Sequence, residues 1–272
     1  MPSQRAVLWL WYRGTHFRGW QRQAQGPTVQ QAVEAQLRAL GIQGGLAAAG
    51  RTDRGVHARQ QLASLRVPLG RDIEVLGRSL GGAEWGCAAA ALAPQGFHAQ
   101  WTPSTKEYRY RLSTGPPPAG WGAYAWDLLS ELRLEGAAID VEALGDVLVG
   151  ATGTRDFFAF HAASSIRRLR TLSRVELHRD APVPGLWELR VQGTGFGRYQ
   201  VRALVGGAAL VASGRLPLEA WAAALEEATA FSGLLAPPQG LVLWAVHSGG
   251  LGPFDATGSA RLPTGPPFET SP

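Results

Sequence analysis

The period of the hydrophobic pattern changes repeatedly along this chain, and those changes limit the folds open to it. Residues 7–12 (VLWLWY) form an apolar, aromatic-rich run that predicts a buried strand. Thr28 to Gln31 then has the form of a capping box, followed by Val29, Val33, Leu37 and Leu40 at helical spacing and by Gly41 as a stop. Residues 62–67 predict another strand, and the Gly-rich stretches 44–55 and 77–86 predict loops. Residues 106–112 (KEYRYRL) alternate, with Tyr108, Tyr110 and Leu112 on one face. A helix is predicted over 140–149, closing at Gly150, and strands over 170–179 and 186–191 pair through a turn at Gly185. Helices over 198–213 and 218–231, the second opening after Pro217, precede a last strand over 241–247. Strands in clusters with helices between them predict an α+β architecture rather than strict βαβ alternation. The break near 100–105 suggests an N-terminal half over 1–104 and a C-terminal half over 105–249, with 250–272 an irregular tail.

Several function classes are disfavoured. The single cysteine, Cys87, excludes an internal disulfide framework or a Cys-based zinc cluster. The six histidines lie too far apart for a local metal motif, and neither a P-loop nor a dinucleotide fingerprint is present, so no metal and no nucleotide cofactor is expected. The longest apolar stretch, 204–212, is interrupted by Gly206 and Gly207 and falls well short of the ~20 residues of a membrane span. The opening residues MPSQRAVLWL carry no long apolar run, so a soluble, cytoplasmic chain with no membrane partner is expected. Gly77-Arg-Ser79-Leu-Gly81 fits the G-x-S-x-G pattern of a serine hydrolase, but two fixed glycines are cheap in a chain with 35 of them.

Charge is distributed unevenly. Of 26 basic residues only Lys106 is a lysine, a bias that codon composition accounts for more simply than function does. Position is more informative: residues 1–66 hold nine arginines against Glu34 and Asp53, a net of +7 in a chain of +5. A second cluster is Arg167, Arg168, Arg170 and Arg174. Such asymmetry suits a polyanionic partner.

Residues 49–58 (AGRTDRGVHA) combine these features. Asp53 stands between Arg51 and Arg54, whose guanidinium groups favour the ionised carboxylate. Gly50 and Gly55 permit backbone angles closed to other residues and a close approach by a ligand. On residue types alone the segment is either an ordinary β-turn or a nucleophilic carboxylate presented to a polyanion.

This segment resembles the A-G-R-T-D-A-G-V-H-A signature of the tRNA pseudouridine synthases of the TruA family, with Arg54 where Ala is usual. Further matches follow in order. They are Gly19-Trp-Gln-Arg-Gln23 with Thr28-Val-Gln30, then Phe97-His-Ala99, Lys106-Glu-Tyr-Arg-Tyr110, Asp156-Phe-Phe-Ala-Phe160, Arg170-Thr171 and Gly240-Leu-Val-Leu243. The family's F-x-x-H-M-V-R-N is read here as Phe196-Gly-Arg-Tyr199-Gln200-Val-Arg202-Ala, which keeps the arginine and replaces the His and Met.

The resemblance implies two similar halves with antiparallel sheets flanked by helices, and an active-site cleft between them. It implies isomerisation of uridine to pseudouridine in the tRNA anticodon arm (positions 38–40), without metal or cofactor. Asp53 is then the catalytic carboxylate, Tyr108 the ring that stacks on uracil, Arg202 the partner of that carboxylate, and Leu241 the apolar residue beneath the base. Substrate binding falls to Arg51, Thr52, Arg54 and His57 of the motif, with Arg18, Arg22, Arg59, Arg167 and Arg168 as candidate contacts to tRNA. The family also implies a homodimer. A tRNA-binding protein without catalysis and a hydrolase built on Ser79 are the rival expectations.

Overall fold

The computed structural model describes residues 2–133, 139–228, 233–249, 251 and 262–269. Its strands are β1 (Ser3–Tyr12), β2 (Ala47–Ala48), β3 (His57–Pro68), β4 (Trp85–Ala93), β5 (Thr105–Ser113), β6 (Trp126–Asp127), β7 (Gly153–Asp156), β8 (Leu169–Arg179), β9 (Trp187–Gly193) and β10 (Leu241–His247). Its helices are α1 (Val29–Ala39), α2 (Ile73–Arg78), α3 (Leu128–Glu131), α4 (Val141–Val149), α5 (Gln200–Ala212) and α6 (Leu218–Glu227). The fold is α+β, and the chain divides into two compact units: Met1–Lys106 with Val242–Phe268, and Glu107–Leu241 with Glu269–Pro272.

In the first unit the strands run in the order β4-β1-β3-β10. β1 pairs antiparallel with both β3 and β4, and Ala6 to Leu10 are buried on both faces, which is why its sequence is apolar without alternation. β10 pairs parallel with the start of β3, Val242 opposite His57 and Leu243 opposite Ala58. This pair makes the sheet mixed where the resemblance implies antiparallel pairing. α1 begins as its capping box predicts: the Thr28 hydroxyl accepts the Gln31 N–H at 3.3 Å, and Val29, Val33 and Leu37 form its buried face. α2 and β4 both fall where loops or no element are expected. The reason is packing: a Cβ at Gly77 would stand 2.8 Å from Ala90 Cβ, so the small residues of WGCAAAALA let α2 lie close upon the strand.

In the second unit the order is β5-β9-β8-β7, with β8 antiparallel to β7 and β9, and β6 parallel to β5. α4 rests on β8 through Gly145, whose Cβ would meet Leu177 at 2.8 Å. α5 and α6 form as expected, α6 ending at Glu227; residues 229–231 of the expected helix lie outside the described residues. Phe160 and Trp221 pack edge to face at 4.8 Å in the core.

Of the expected tail, residue 250, residues 252–261 and residues 270–272 lie outside the described residues. Residues 262–268 are irregular yet packed: Phe268 is buried with Val242 and Trp244, meets Trp11 at 6.0 Å, and the Arg13 Nε donates to the Pro266 carbonyl at 3.2 Å.

Candidate active site

The loop carrying Asp53 is a turn whose shape glycine dictates. The Val56 N–H donates to the Asp53 carbonyl at 3.1 Å, and Gly55 sits at the third position with φ +83°, the value a type II turn requires. Asp53 is half-buried, and Arg51 and Arg54 on either side are exposed.

The rest of the unit grips this loop through its main chain and Thr52. Trp20 N–H donates to the Thr52 carbonyl at 3.1 Å. Gly19, at φ +94°, lies so close that a Cβ would stand 2.6 Å from the Thr52 oxygen and 3.1 Å from the Asp53 carbonyl carbon. Gly14 presses on the other end, where a Cβ would come within 2.1 Å of the Val56 oxygen, and its N–H donates to His57 Nδ1 at 3.0 Å. The Tyr12 hydroxyl and Thr52 Oγ1 share a hydrogen bond of 2.8 Å, and Gln61 Nε2 donates to the Gly50 carbonyl at 2.7 Å and to Tyr12 at 3.3 Å. Burial pushes the Tyr12 phenol well above its ordinary range, outweighing the opposing hydrogen bonds of Thr52 and Gln61, so it stays protonated. Lys106, the chain's one lysine, donates from Nζ to the Ala49 carbonyl at 2.5 Å.

Thr52 and His57, expected among the substrate contacts, are buried, His57 completely. Their described bonds go to Tyr12 and Gly14, which makes them supports of the loop. Tyr12, Gly14, Gln61 and Lys106 were not expected in the site at all. The traces in the sequence are Gly19, whose φ of +94° favours glycine, and Lys106, which opens the Lys106-Glu-Tyr-Arg-Tyr110 match.

In the second unit, Tyr108 is buried on β5 with its ring edge to face against Phe196 at 5.0 Å and 81°. Arg202 is buried in the first turn of α5. Its Nε donates to the Ala236 carbonyl at 2.7 Å, and the Ala236 N–H returns a bond to the Arg202 carbonyl at 3.1 Å. One turn on, Gly206 must be glycine, because a Cβ would lie 1.9 Å from the Leu234 oxygen. The segment leaving Ala236 is fixed again by Tyr110, whose hydroxyl donates to the Pro237 carbonyl at 2.8 Å. Gly240 packs on the Tyr110 ring and the Arg111 carbonyl, and Leu241 follows it, buried. Tyr199, which replaces the usual His, opens α5 at φ +71° with its ring 4.5 Å from the Arg198 guanidinium and 5.5 Å from that of Arg202.

The candidate RNA-binding arginines are not equivalent. Arg18 and Arg168 are exposed. Arg22 is ion-paired with Glu34, and Arg167 with Asp156 while lying 4.8 Å over the Phe158 ring. Arg59 is half-buried, 4.7 Å over Trp244. Buried Arg170 holds the Arg167–Arg168 loop from inside, donating to the Ile166 carbonyl at 2.8 Å and the Arg168 carbonyl at 3.2 Å.

A family model described as tRNA pseudouridine synthase matches residues 149–247. The tRNA pseudouridine synthase A of Dinoroseobacter shibae is 36% identical over 257 residues, covering 89% of this chain and 96% of that protein. The chain belongs to the tRNA pseudouridine synthase family. Its enzyme class is accordingly that of an isomerase acting on tRNA. The tRNA pseudouridine synthase A proteins of Neisseria gonorrhoeae (34% identical, 87% of each chain) and Geobacillus kaustophilus (32% identical, 90% of this chain and 95% of that one) match over similar lengths. Nothing favours the hydrolase expectation for this pseudouridine synthase. Ser79 caps the C-terminal end of α2 with its hydroxyl donating to the Val75 carbonyl at 2.8 Å, whereas a nucleophile elbow opens a helix after a strand. Among the described residues no helix is long and apolar enough to cross a membrane.

Proposed function

We propose that this protein isomerises uridine to pseudouridine in the tRNA anticodon stem-loop, with Asp53 as the catalytic carboxylate. The observation that supports this most is the Asp53 loop. A half-buried carboxylate, flanked by exposed Arg51 and Arg54, stands on a turn anchored by Trp20, Tyr12, Gln61, Lys106, Gly14 and Gly19. Such anchoring holds a reacting group in place without reorganisation when the substrate arrives.

The reaction breaks the C1′–N1 bond, turns the uracil and joins C1′ to C5, with the C5 proton moved to N1. Atoms balance without water or an electron carrier. The protein must therefore supply a reactive carboxylate, a proton path and an apolar surface for the turning base. Asp53 supplies the first. Tyr108 stacks on uracil, and its hydroxyl is the group assigned to the C5 proton. Arg202 supplies the guanidinium that keeps a carboxylate ionised, and Leu241 the apolar surface. The uridine must leave its stack to react, which costs least in a loop or at a stem end. Arg18, Arg22, Arg51, Arg54, Arg59, Arg167 and Arg168 are assigned to tRNA phosphates, which position the RNA without reading its sequence. The protein acts as a homodimer in the cytoplasm.

The test is to incubate the protein with unmodified tRNA transcripts and map pseudouridine at single-nucleotide resolution. Product confined to the anticodon arm is expected, and product only elsewhere contradicts the assignment of position. Ser79→Ala should retain full activity. Light scattering of the purified protein should give twice the 29.0 kDa chain mass.

A further inference from the structure

Trp101 is 69% exposed, the only aromatic among the large apolar side chains open to solvent in the described residues. Indoles are mostly buried, because few residues gain more from leaving water. Nor is this one on a loose loop. All six consecutive amides from Phe97 to Thr102 donate hydrogen bonds. Phe97 N–H goes to Pro94 O at 2.9 Å, Trp101 N–H to His98 O at 3.1 Å and Thr102 N–H to His98 O at 3.0 Å. His98 N–H goes to Thr102 Oγ1 at 3.0 Å, Gln100 N–H to His98 Nδ1 at 3.2 Å, and Ala99 N–H to the buried Ser64 Oγ at 3.1 Å. Phe97 and Ala99 are themselves buried, and Ser104 N–H ties the end of the segment to the His247 carbonyl at 2.8 Å. The His98 ring stands edge to face against the indole at 5.4 Å and 64°. The turn thus holds a large aromatic surface in water with its backbone fully satisfied.

We propose that Trp101 is a stacking platform for an unpaired base of the tRNA, separate from the reacting uridine. A rigid exposed indole loses little conformational freedom when a base lies on it, and any base presents a face to stack. Charge selects RNA over a second copy of this chain as the occupant. Residues 1–106 and 242–268, the unit that carries Trp101, hold thirteen basic residues against six acidic, a net of +7; the other unit has a net of −2. A unit of that net charge attracts a polyanion, whereas a second copy of this chain itself carries a net charge of +5. The inference rests on tRNA being the substrate, and not on the role of Asp53.

The experiment measures tRNA affinity across a salt series for the wild type, Trp101→Ala and Trp101→Phe, each also carrying Asp53→Asn so that no turnover intervenes. Trp101→Ala should bind about tenfold more weakly, the effect of losing one base–aromatic stack, and Trp101→Phe should recover most of that loss. The slope of log affinity against log salt should not change, because stacking releases no counterions. A blunt RNA duplex of equal length, with no unpaired base, should bind all three alike. Wild-type affinity in Trp101→Ala overturns the proposal. So does a loss that Phe does not recover, or a change of oligomeric state in Trp101→Ala, which would assign the indole to a contact between copies. Failure of the Asp53 assignment would appear instead as turnover by the Asp53→Asn protein, leaving the binding comparison intact.

Discussion

Among the carboxylates that lie close to arginines in sequence, Glu188 and Asp53 are treated in opposite ways by the structure. Glu188, beside Arg190 in β9, is completely buried. It accepts from Arg109 at 3.0 Å and Arg190 at 2.9 Å, and pairs with the equally buried Arg111 at 2.9 Å. Burial pulls the Arg111 guanidinium down to about 10, although Glu188 works against that shift, and it remains charged at neutral pH. Asp53 is half-buried between exposed Arg51 and Arg54, and what surrounds its loop grips main chain and Thr52. The charge of Glu188 is used in holding strands together. The environment of Asp53 fixes a position and leaves its neighbouring arginines facing solvent. Proximity of acid and arginine in sequence therefore says nothing about role; burial and the target of the supporting hydrogen bonds decide it.

The contrast can be broken by exchanging the effects of substitution at the two places. Glu188→Gln should have the largest effect on folding, about 3–5 kcal/mol, because the completely buried Arg111 guanidinium loses its counter-charge. Urea denaturation followed by circular dichroism measures it, and a loss below 1 kcal/mol would make Glu188 an ordinary polar residue. Gly19→Ala acts on the other side of the comparison. A Cβ forced against Thr52 O at positive φ should displace Asp53 and cut turnover on the order of 100-fold, the effect of a misplacement near 1 Å. Steady-state kinetics should show this in kcat more than in KM, and an unchanged kcat would mean the loop tolerates movement. Tyr12→Phe removes only the bond to Thr52 and the acceptor for Gln61, so about 1 kcal/mol of stability and a few-fold in rate are expected. Equal rates for Tyr12→Phe and wild type would leave Tyr12 a packing residue.

The sequence was most legible where local rules and packing agree. The capping box of α1, the strand β10 and the small-residue helix α5 all stand within a few residues of their expected places. Legibility failed at β4, because alanine has no strand preference and its run does not alternate; only Gly77 against Ala90 explains why it is so small. It failed again at the start of β3, where His57, Arg59, Gln60 and Gln61 look like a polar loop. His57, Gln60 and Gln61 are buried there, and His57 and Gln61 hold the Asp53 loop and its surroundings. Departures of this kind are expected beside a functional site, where supporting it overrides the local pattern. The motif at 49–58 pointed to Asp53, but not to Tyr12, Gly14 or Lys106, which are distant in sequence and reach the motif only through the fold: Tyr12 at the Thr52 hydroxyl, Gly14 at the His57 ring and Lys106 at the Ala49 carbonyl.

On the proposed function, Asp53 reacts and its loop exists to place it. The most direct measurement is single-turnover pseudouridine formation in an unmodified tRNA transcript by wild type and Asp53→Asn, paired with tRNA affinity and melting temperature for each. Asparagine has nearly the same size and cannot supply a carboxylate. Asp53→Asn should lose at least about 1000-fold in rate, roughly 4 kcal/mol of transition-state stabilisation, with unchanged folding and tRNA binding. A variant that folds, binds and still converts uridine within tenfold of the wild-type rate would remove Asp53 from the chemistry.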